Sequence, residues 1–103
     1  MTPVVVLTTV GADFDPSQIA IQLVEKRLAA CVNIIPQIQS VYRWKDKIEK
    51  DLEQLLLIKT VESQIDDLRD ALFSMHPYEV PEFVVIRMDD LSSAYRDWLI
   101  SSL

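Results

Sequence analysis

Three short runs, residues 4–7, 55–58 and 83–86, are apolar at every one of their four positions. Side chains along a strand point alternately to opposite faces, so a strand that is apolar throughout presents apolar side chains on both faces of its sheet. Runs of this length between polar segments are typical of strands. They predict the centres of three strands in a sheet with no polar face.

Two segments between these strands have the spacing of amphipathic helices. The first follows Asp15 and Pro16, an N-cap acid before a proline at the first helical position. The second covers residues 63–75 and ends at His76, because Pro77 disfavours helical geometry in the residue before it. The apolar positions are Ile19, Ala20, Leu23, Val24 and Leu28 in one helix and Ile65, Leu68, Leu72 and Met75 in the other. Each helix therefore has one face that can pack on the sheet.

A long β-rich stretch, residues 29–44, is followed by a second one, residues 48–60, across the polar turn at residues 45–47. This arrangement predicts a β-hairpin. Pro36 cannot donate to a strand ladder, so it marks an edge position, a bulge or a bend. The turn type stays open, because Asp46 adopts left-handed geometry only moderately well.

The order of elements is βαββαβ, followed by a short C-terminal helix that Ser92 or Ser93 caps. This order predicts an α+β fold, a ferredoxin-like antiparallel sheet with both main helices on one face and an additional C-terminal helix. No linker interrupts it, so residues 1–103 are predicted to form a single domain. The other face of the sheet is also apolar, and copies of the same chain are expected to bury it.

Composition excludes several classes of partner. Ten basic and sixteen acidic residues give a net charge of −6, the wrong sign for holding a phosphate backbone, so no nucleic acid partner is expected. No apolar run spans a bilayer and no signal peptide is visible, so a cytoplasmic protein with no membrane partner is predicted. The single cysteine, Cys31, excludes an internal disulfide and paired-cysteine zinc motifs.

Residues 76–82, His-Pro-Tyr-Glu-Val-Pro-Glu, form the least generic segment of the chain. Two prolines stiffen it, so its side chains are presented at fixed spacing with little ordering entropy left to lose on binding. The segment is either a metal-binding motif or a connector that ends a helix and begins a strand.

Five blocks of sequence together resemble the CutA divalent-cation tolerance proteins. They are Ala30-Cys31-Val32-Asn33, Ser40-Val41-Tyr42-Arg43-Trp44, Lys59-Thr60, residues 76–82 and Tyr95-Arg96-Asp97-Trp98. The resemblance covers residues 3–103. It implies a ferredoxin-like fold, a homotrimer built by pairing of strands between subunits, a cytoplasmic location, and binding of copper or another divalent cation without an established enzymatic reaction. The family usually has a glycine where this chain has Asp46.

Cys31, His76, Glu79 and Glu82 are the candidate metal ligands. One chain offers too few converging donors, but a cleft between subunits would combine sulfur, nitrogen and oxygen donors, a set that suits copper. The alternatives are that Cys31 is a small buried apolar residue and that His76 is a hydrogen-bonded helix terminator. No organic cofactor is expected.

Six further residues are assigned to the cleft between subunits: Tyr42, Trp44, Lys59, Tyr78, Tyr95 and Trp98. The aromatic residues are also typical of packing contacts. Lys59, close to a predicted helix start, favours an alternative function, a trimeric sensor of the PII type that binds a small molecule or anion between subunits. An enzyme with Cys31 as nucleophile and His76 as base is disfavoured, because nothing basic flanks Cys31 in the sequence.

Overall fold

The chain forms a four-stranded antiparallel sheet and three α-helices in the computed structural model, which describes all 103 residues. The elements are β1 (Pro3–Gly11), α1 (Ser17–Glu25), β2 (Cys31–Trp44), β3 (Lys47–Val61), α2 (Ile65–Met75), β4 (Val84–Arg87) and α3 (Ser93–Ser101), with one 3-10 turn at Glu62–Gln64. The strand order is β2-β3-β1-β4. This order is the ferredoxin-like arrangement, so the predicted fold class, including the additional C-terminal helix, is confirmed.

Local chemistry sets the element ends. Before α1, one carboxylate oxygen of Asp15 accepts hydrogen bonds from the backbone N–H and the hydroxyl of Ser17, at 3.1 and 2.7 Å. At α3, the hydroxyl of Ser92 accepts from the N–H of Tyr95. α2 ends where His76 turns to extended geometry, with φ −75° and ψ 134°, as the following proline requires. The predicted starts of α1 and α3 and the predicted end of α2 are therefore observed, whereas α2 begins at Ile65, two residues after its predicted start.

The hairpin differs in detail from its prediction. Lys47 already pairs with Trp44, so the turn contains only Lys45 and Asp46, whose φ angles are 49° and 66°. Two left-handed residues form the tight turn that matches the twist of a hairpin. Pro36 lies in a bulge between Ile35 and Ile38. The strand predicted from residue 29 starts two residues later, at Cys31, and the last strand, predicted around residues 83–86, covers Val84–Arg87.

The core lies between the helices and one face of the sheet. Val4, Val6 and Val10 of β1 and Leu56 and Ile58 of β3 face the helices and have no solvent exposure. The helices contribute Ile19, Leu23, Leu68 and Leu72 to the same cluster. These residues are the helix stripes and one of the two apolar strand rows that the sequence pattern predicts. None of the helices has the length and apolar content needed to cross a bilayer.

The second face of the sheet, here called the open face, carries the other apolar row. Strand register places Val5, Leu7, Leu55, Leu57, Val84 and Ile86 on it. The two β4 residues are 43 % and 46 % exposed. α3 packs at one end of the sheet, where Leu99 contacts Ala30 and Val61. Most of the open face is covered by no element of its own chain.

Beyond the pairing of Gly11 with Glu53, only β2 and β3 continue, and residues 38–53 project as a two-stranded arm. The arm contributes to a length of 44 Å in a molecule only 25 and 22 Å across. One of its sides carries Val41, Ile48 and Leu52, all more than half exposed. The other side carries Ser40, Tyr42 and Trp44, which share the register of the open face.

Candidate functional site

A groove of about 770 Å³ lies where the arm meets the stiff segment after α2. Twelve residues line it: Thr9, Ser40, Val41, Tyr42, Trp44, Glu53, Pro77, Tyr78, Glu79, Val80, Pro81 and Glu82. One wall therefore consists of the two hairpin strands, and the other is most of the segment that the sequence singled out. No lysine, arginine or histidine belongs to this lining.

His76 fixes the segment to the sheet. β4 pairs with β1 only from Val4 to Leu7, which leaves the edge of β1 open beyond that point. There the Nε2 of His76 lies 2.9 Å from the carbonyl oxygen of Thr9, while its Nδ1 accepts from the backbone N–H of Tyr78 at 3.1 Å. These two partners select the tautomer that carries its proton on Nε2. His76 therefore acts as a structural clamp within its own chain, with both ring nitrogens already in use.

Tyr78 connects the segment to the arm. Its hydroxyl donates to Oε2 of Glu53 at 2.5 Å, and Glu53 is only 7 % exposed. Burial, followed by this hydrogen bond, raises the pKa of Tyr78 above its usual value. A second pair lies on the arm, where the Tyr42 hydroxyl donates to Asp51 and the bond raises the pKa of Tyr42 to about 12. Both phenols are therefore protonated donors at neutral pH.

Three carboxylates, Glu53, Glu79 and Glu82, line the groove without a basic partner. The two ion pairs of the molecule, Arg69 with Asp66 and Arg87 with Glu62, involve other residues. Burial, and secondarily the charge of Glu53, raises the pKa of Glu82. A raised carboxyl pKa means that the surroundings disfavour the negative charge, and a bound cation would relieve this cost.

The four predicted metal ligands do not converge in one chain. Cys31 pairs with Lys59, at the start of β2. Ile35, four residues further along β2, is at the level of Thr9, whose carbonyl oxygen His76 contacts. Four strand residues correspond to about 13 Å. No group of three histidine, cysteine, aspartate or glutamate side chains is positioned to hold a metal ion. A site that combines Cys31 with the groove requires a second subunit, and it stays a prediction.

The six predicted cleft residues divide into two groups. Tyr42, Trp44 and Tyr78 line the groove. At the other end of the open face, the Nζ of Lys59 lies 5.6 Å from the ring centre of Tyr95, which is 5.4 Å from the ring of Trp98. Six strand residues, about 20 Å, separate Lys59 from Glu53. One subunit therefore presents two separate aromatic sites.

Sequence reasoning missed Glu53, the most buried carboxylate of the groove. It lies in a polar stretch of β3 whose composition is typical of a solvent-exposed strand. One signal was available: Glu53 continues the row formed by Leu55 and Leu57, so it occupies the next position of an otherwise apolar face. A charged residue at such a position indicates a specific partner.

The surroundings of His76 predict that the free energy of unfolding of the metal-free protein depends on pH. Burial lowers the pKa of His76 below the 6.5 of a free side chain, against the smaller opposing effects of Thr9 and Glu53. The unfolded chain therefore takes up a proton first as the pH falls, so the contribution of His76 is complete above pH 6.5 and is lost below it. Urea unfolding at pH 7.5 and pH 5.5 should show a smaller loss of stability in His76→Gln than in wild type.

Wild type must be compared with His76→Gln because Glu82 has the opposite effect on how the free energy of unfolding changes with pH. Its raised pKa favours proton uptake by the folded chain, so this contribution to stability is lost as the pH rises. Glu82 is common to both proteins, and the difference between their pH slopes reports His76. Equal slopes would contradict a half-buried neutral imidazole at His76.

Comparison with known proteins matches this fold and sequence to one family. The family model described as CutA1 divalent ion tolerance protein matches residues 4–102. The divalent-cation tolerance protein CutA of Thermus thermophilus is 44 % identical over 95 residues, which cover 92 % of each chain. Human protein CutA is 50 % identical over 82 residues, but the match spans only 46 % of its length.

A solved structure of CutA from Synechococcus elongatus PCC7942, complexed with a Bis-Tris molecule, superimposes with a TM-score of 0.90. It is 46 % identical, and the match covers 99 % of this chain and 94 % of that one. The sequence blocks, the strand order and these matches agree, and the chain belongs to the CutA1 divalent ion tolerance family.

Proposed function

We propose that the protein is a non-catalytic, cytoplasmic homotrimer that binds copper or another divalent cation and serves in metal-ion tolerance. Membership of the divalent ion tolerance family supports the general role. The observation that supports cation binding most directly is the groove, in which Glu53, Glu79 and Glu82 have no basic partner. Negative charge held in a partly buried groove attracts a cation.

The proposed site is shared between subunits. Glu79 and Glu82 of one chain would supply oxygen ligands, and Cys31 of a neighbouring chain would supply sulfur, a mixture that suits copper. His76 is neutral at pH 7, as a metal ligand must be, but it would have to exchange one of its two hydrogen bonds for the metal. The residues of one chain alone do not fit a metal ion, so binding is expected to depend on assembly.

Exposed apolar surface supports the trimer. The open face is apolar over most of its area, and Val41, Ile48 and Leu52 on the arm are largely exposed in a single chain. Soluble monomers rarely expose large connected apolar patches. An arm of two strands with no third neighbour also has little stability by itself, so contact with other subunits would stabilise it.

Copper titration tests the proposal. Glu82→Gln is expected to weaken copper affinity by about tenfold or more, because it removes a ligand and its charge. Isothermal titration of copper into wild type and variant at pH 7 measures the difference. Asp90→Asn is the matched control, since it removes one carboxylate from an exposed loop outside the groove lining. Equal affinities for wild type and Glu82→Gln would contradict a metal site at this groove.

A trimeric small-molecule sensor is the second candidate. The groove volume of about 770 Å³ is within the range of small-molecule sites. The Synechococcus relative complexed with Bis-Tris, an organic amine, is consistent with such a role. A thermal-shift screen against small molecules would detect it as ligand-dependent stabilisation.

A further inference from the structure

Within one chain, the groove does not bring its carboxylates close enough together to coordinate a metal ion. Metal sites bring their donors within about 2.0 to 2.6 Å of one point. Here the carboxylates are distributed over a groove of about 770 Å³, and no three of them form a metal-binding group. The charge favours a cation, whereas the volume and the spacing favour a cation much larger than a single ion.

The deepest carboxylate has one oxygen available to a ligand. Glu53 is more than nine-tenths buried, and its Oε2 accepts the hydrogen bond of Tyr78. Its Oε1 has no hydrogen-bond partner in the chain, although the residue belongs to the groove lining. This oxygen is not fully buried, but the residue around it has little access to water, so a nitrogen donor brought by a ligand would form a charge-assisted hydrogen bond there.

The remaining lining suits the apolar part and the charge of an organic cation. Pro77, Val80 and Pro81 offer aliphatic surface, and Tyr42, Trp44 and Tyr78 offer aromatic rings. Aromatic faces attract ammonium groups. The chain already shows this at the rim, where the Nζ of Lys45 lies 5.7 Å from the ring centre of Trp44.

We infer that the groove binds a linear aliphatic diamine or polyamine, with one ammonium group on Glu53 and a second towards Glu79 or Glu82. Several separated carboxylates match a ligand with several separated charges better than they match a single amine. The methylene chain between the nitrogens would lie along the prolines and aromatic rings. This inference goes beyond metal binding and does not need Cys31, which lies far from the groove in the same chain.

The test is a titration of spermidine into metal-stripped protein in phosphate buffer at pH 7.5. Calorimetry measures binding, and tryptophan fluorescence of a Trp98→Phe background reports on Trp44. Saturable binding of spermidine, and none of 1,4-butanediol as an uncharged analogue, is the expected result. Glu53→Gln is expected to weaken binding at least tenfold. Glu82→Gln, at a less buried position, provides a second variant if Glu53→Gln fails to fold. Asp90→Asn should bind like wild type.

Two outcomes would overturn the inference: no saturable spermidine binding, or binding that both glutamine variants leave unchanged. Cys31→Ser separates it from the proposed metal function, because this change is expected to weaken copper binding and leave spermidine binding intact. Copper binding without spermidine binding overturns the polyamine inference alone. Spermidine binding without copper binding supports it and overturns the metal proposal.

Discussion

Replacing Ile86 by aspartate is expected to convert the proposed trimer into monomers of 11.8 kDa. Ile86 lies on the open face and is 46 % exposed in a single chain, so the chain itself can tolerate the charge. In a trimer that buries this face, each subunit would place an unpaired carboxylate in an apolar contact, which costs several kcal/mol. Light scattering of wild type and variant in dilute solution measures the change, and circular dichroism confirms that the sheet persists.

Ile21→Asp is the matched control for this experiment. Ile21 is also more than half exposed, but it lies on α1, on the other side of the sheet. The same substitution there should leave the mass of the assembly unchanged. A wild-type protein that is monomeric in dilute solution, or an Ile86→Asp variant that stays assembled, would contradict burial of the open face by other copies.

The fold could be predicted from sequence because several independent signals agree. Asp15 and Ser92 mark helix starts, Pro77 marks a helix end, and apolar rows mark the strands. Each signal depends on residues close together in the chain. The strand order then follows from the element order, since few arrangements satisfy short connections and antiparallel pairing.

The candidate site was only half predictable. The segment from His76 to Glu82 is visible in the sequence because its prolines and its single histidine are unusual. Its partner Glu53 is 25 residues away from Tyr78 and looks like any other strand carboxylate. Only the register of the hairpin against β1 and the course of the chain after α2 bring the two together. Such contacts depend on tertiary packing, which local patterns do not encode.

The role of His76 shows the same limit. A lone histidine before a proline is equally consistent with a ligand and with a helix terminator. The structure assigns both ring nitrogens to backbone partners, Thr9 and Tyr78, so the structural role is established by geometry. Metal binding by His76 remains a proposal, and it would require one of these two hydrogen bonds to break. The clamp nevertheless serves the groove, because it fixes the start of the wall that carries Tyr78, Glu79 and Glu82.

Tyr78→Phe is expected to lower the free energy of unfolding by about 2 to 3 kcal/mol at pH 7 in metal-free protein. The Tyr78 hydroxyl donates the only hydrogen bond that Glu53 receives, and Glu53 is almost fully buried. Without that donor, Oε2 of Glu53 loses its only partner within the chain at a position with little access to water. Urea denaturation at a fixed protein concentration measures the loss.

A double-mutant cycle separates this contact from general damage to the groove. Glu53→Gln removes the charge, so adding Tyr78→Phe to it should cost much less than Tyr78→Phe alone, with a coupling energy of about 1.5 to 3 kcal/mol. Tyr42→Phe is the matched control, because the same hydroxyl-to-carboxylate bond reaches Asp51 on the exposed arm. Its loss should cost much less than the loss at Tyr78, since water can replace the phenol there. Equal costs for the two tyrosine variants would mean that burial of Glu53 does not set the strength of its hydrogen bond with Tyr78. The argument that a ligand's ammonium group would stabilise the Glu53 carboxylate would then lose its support.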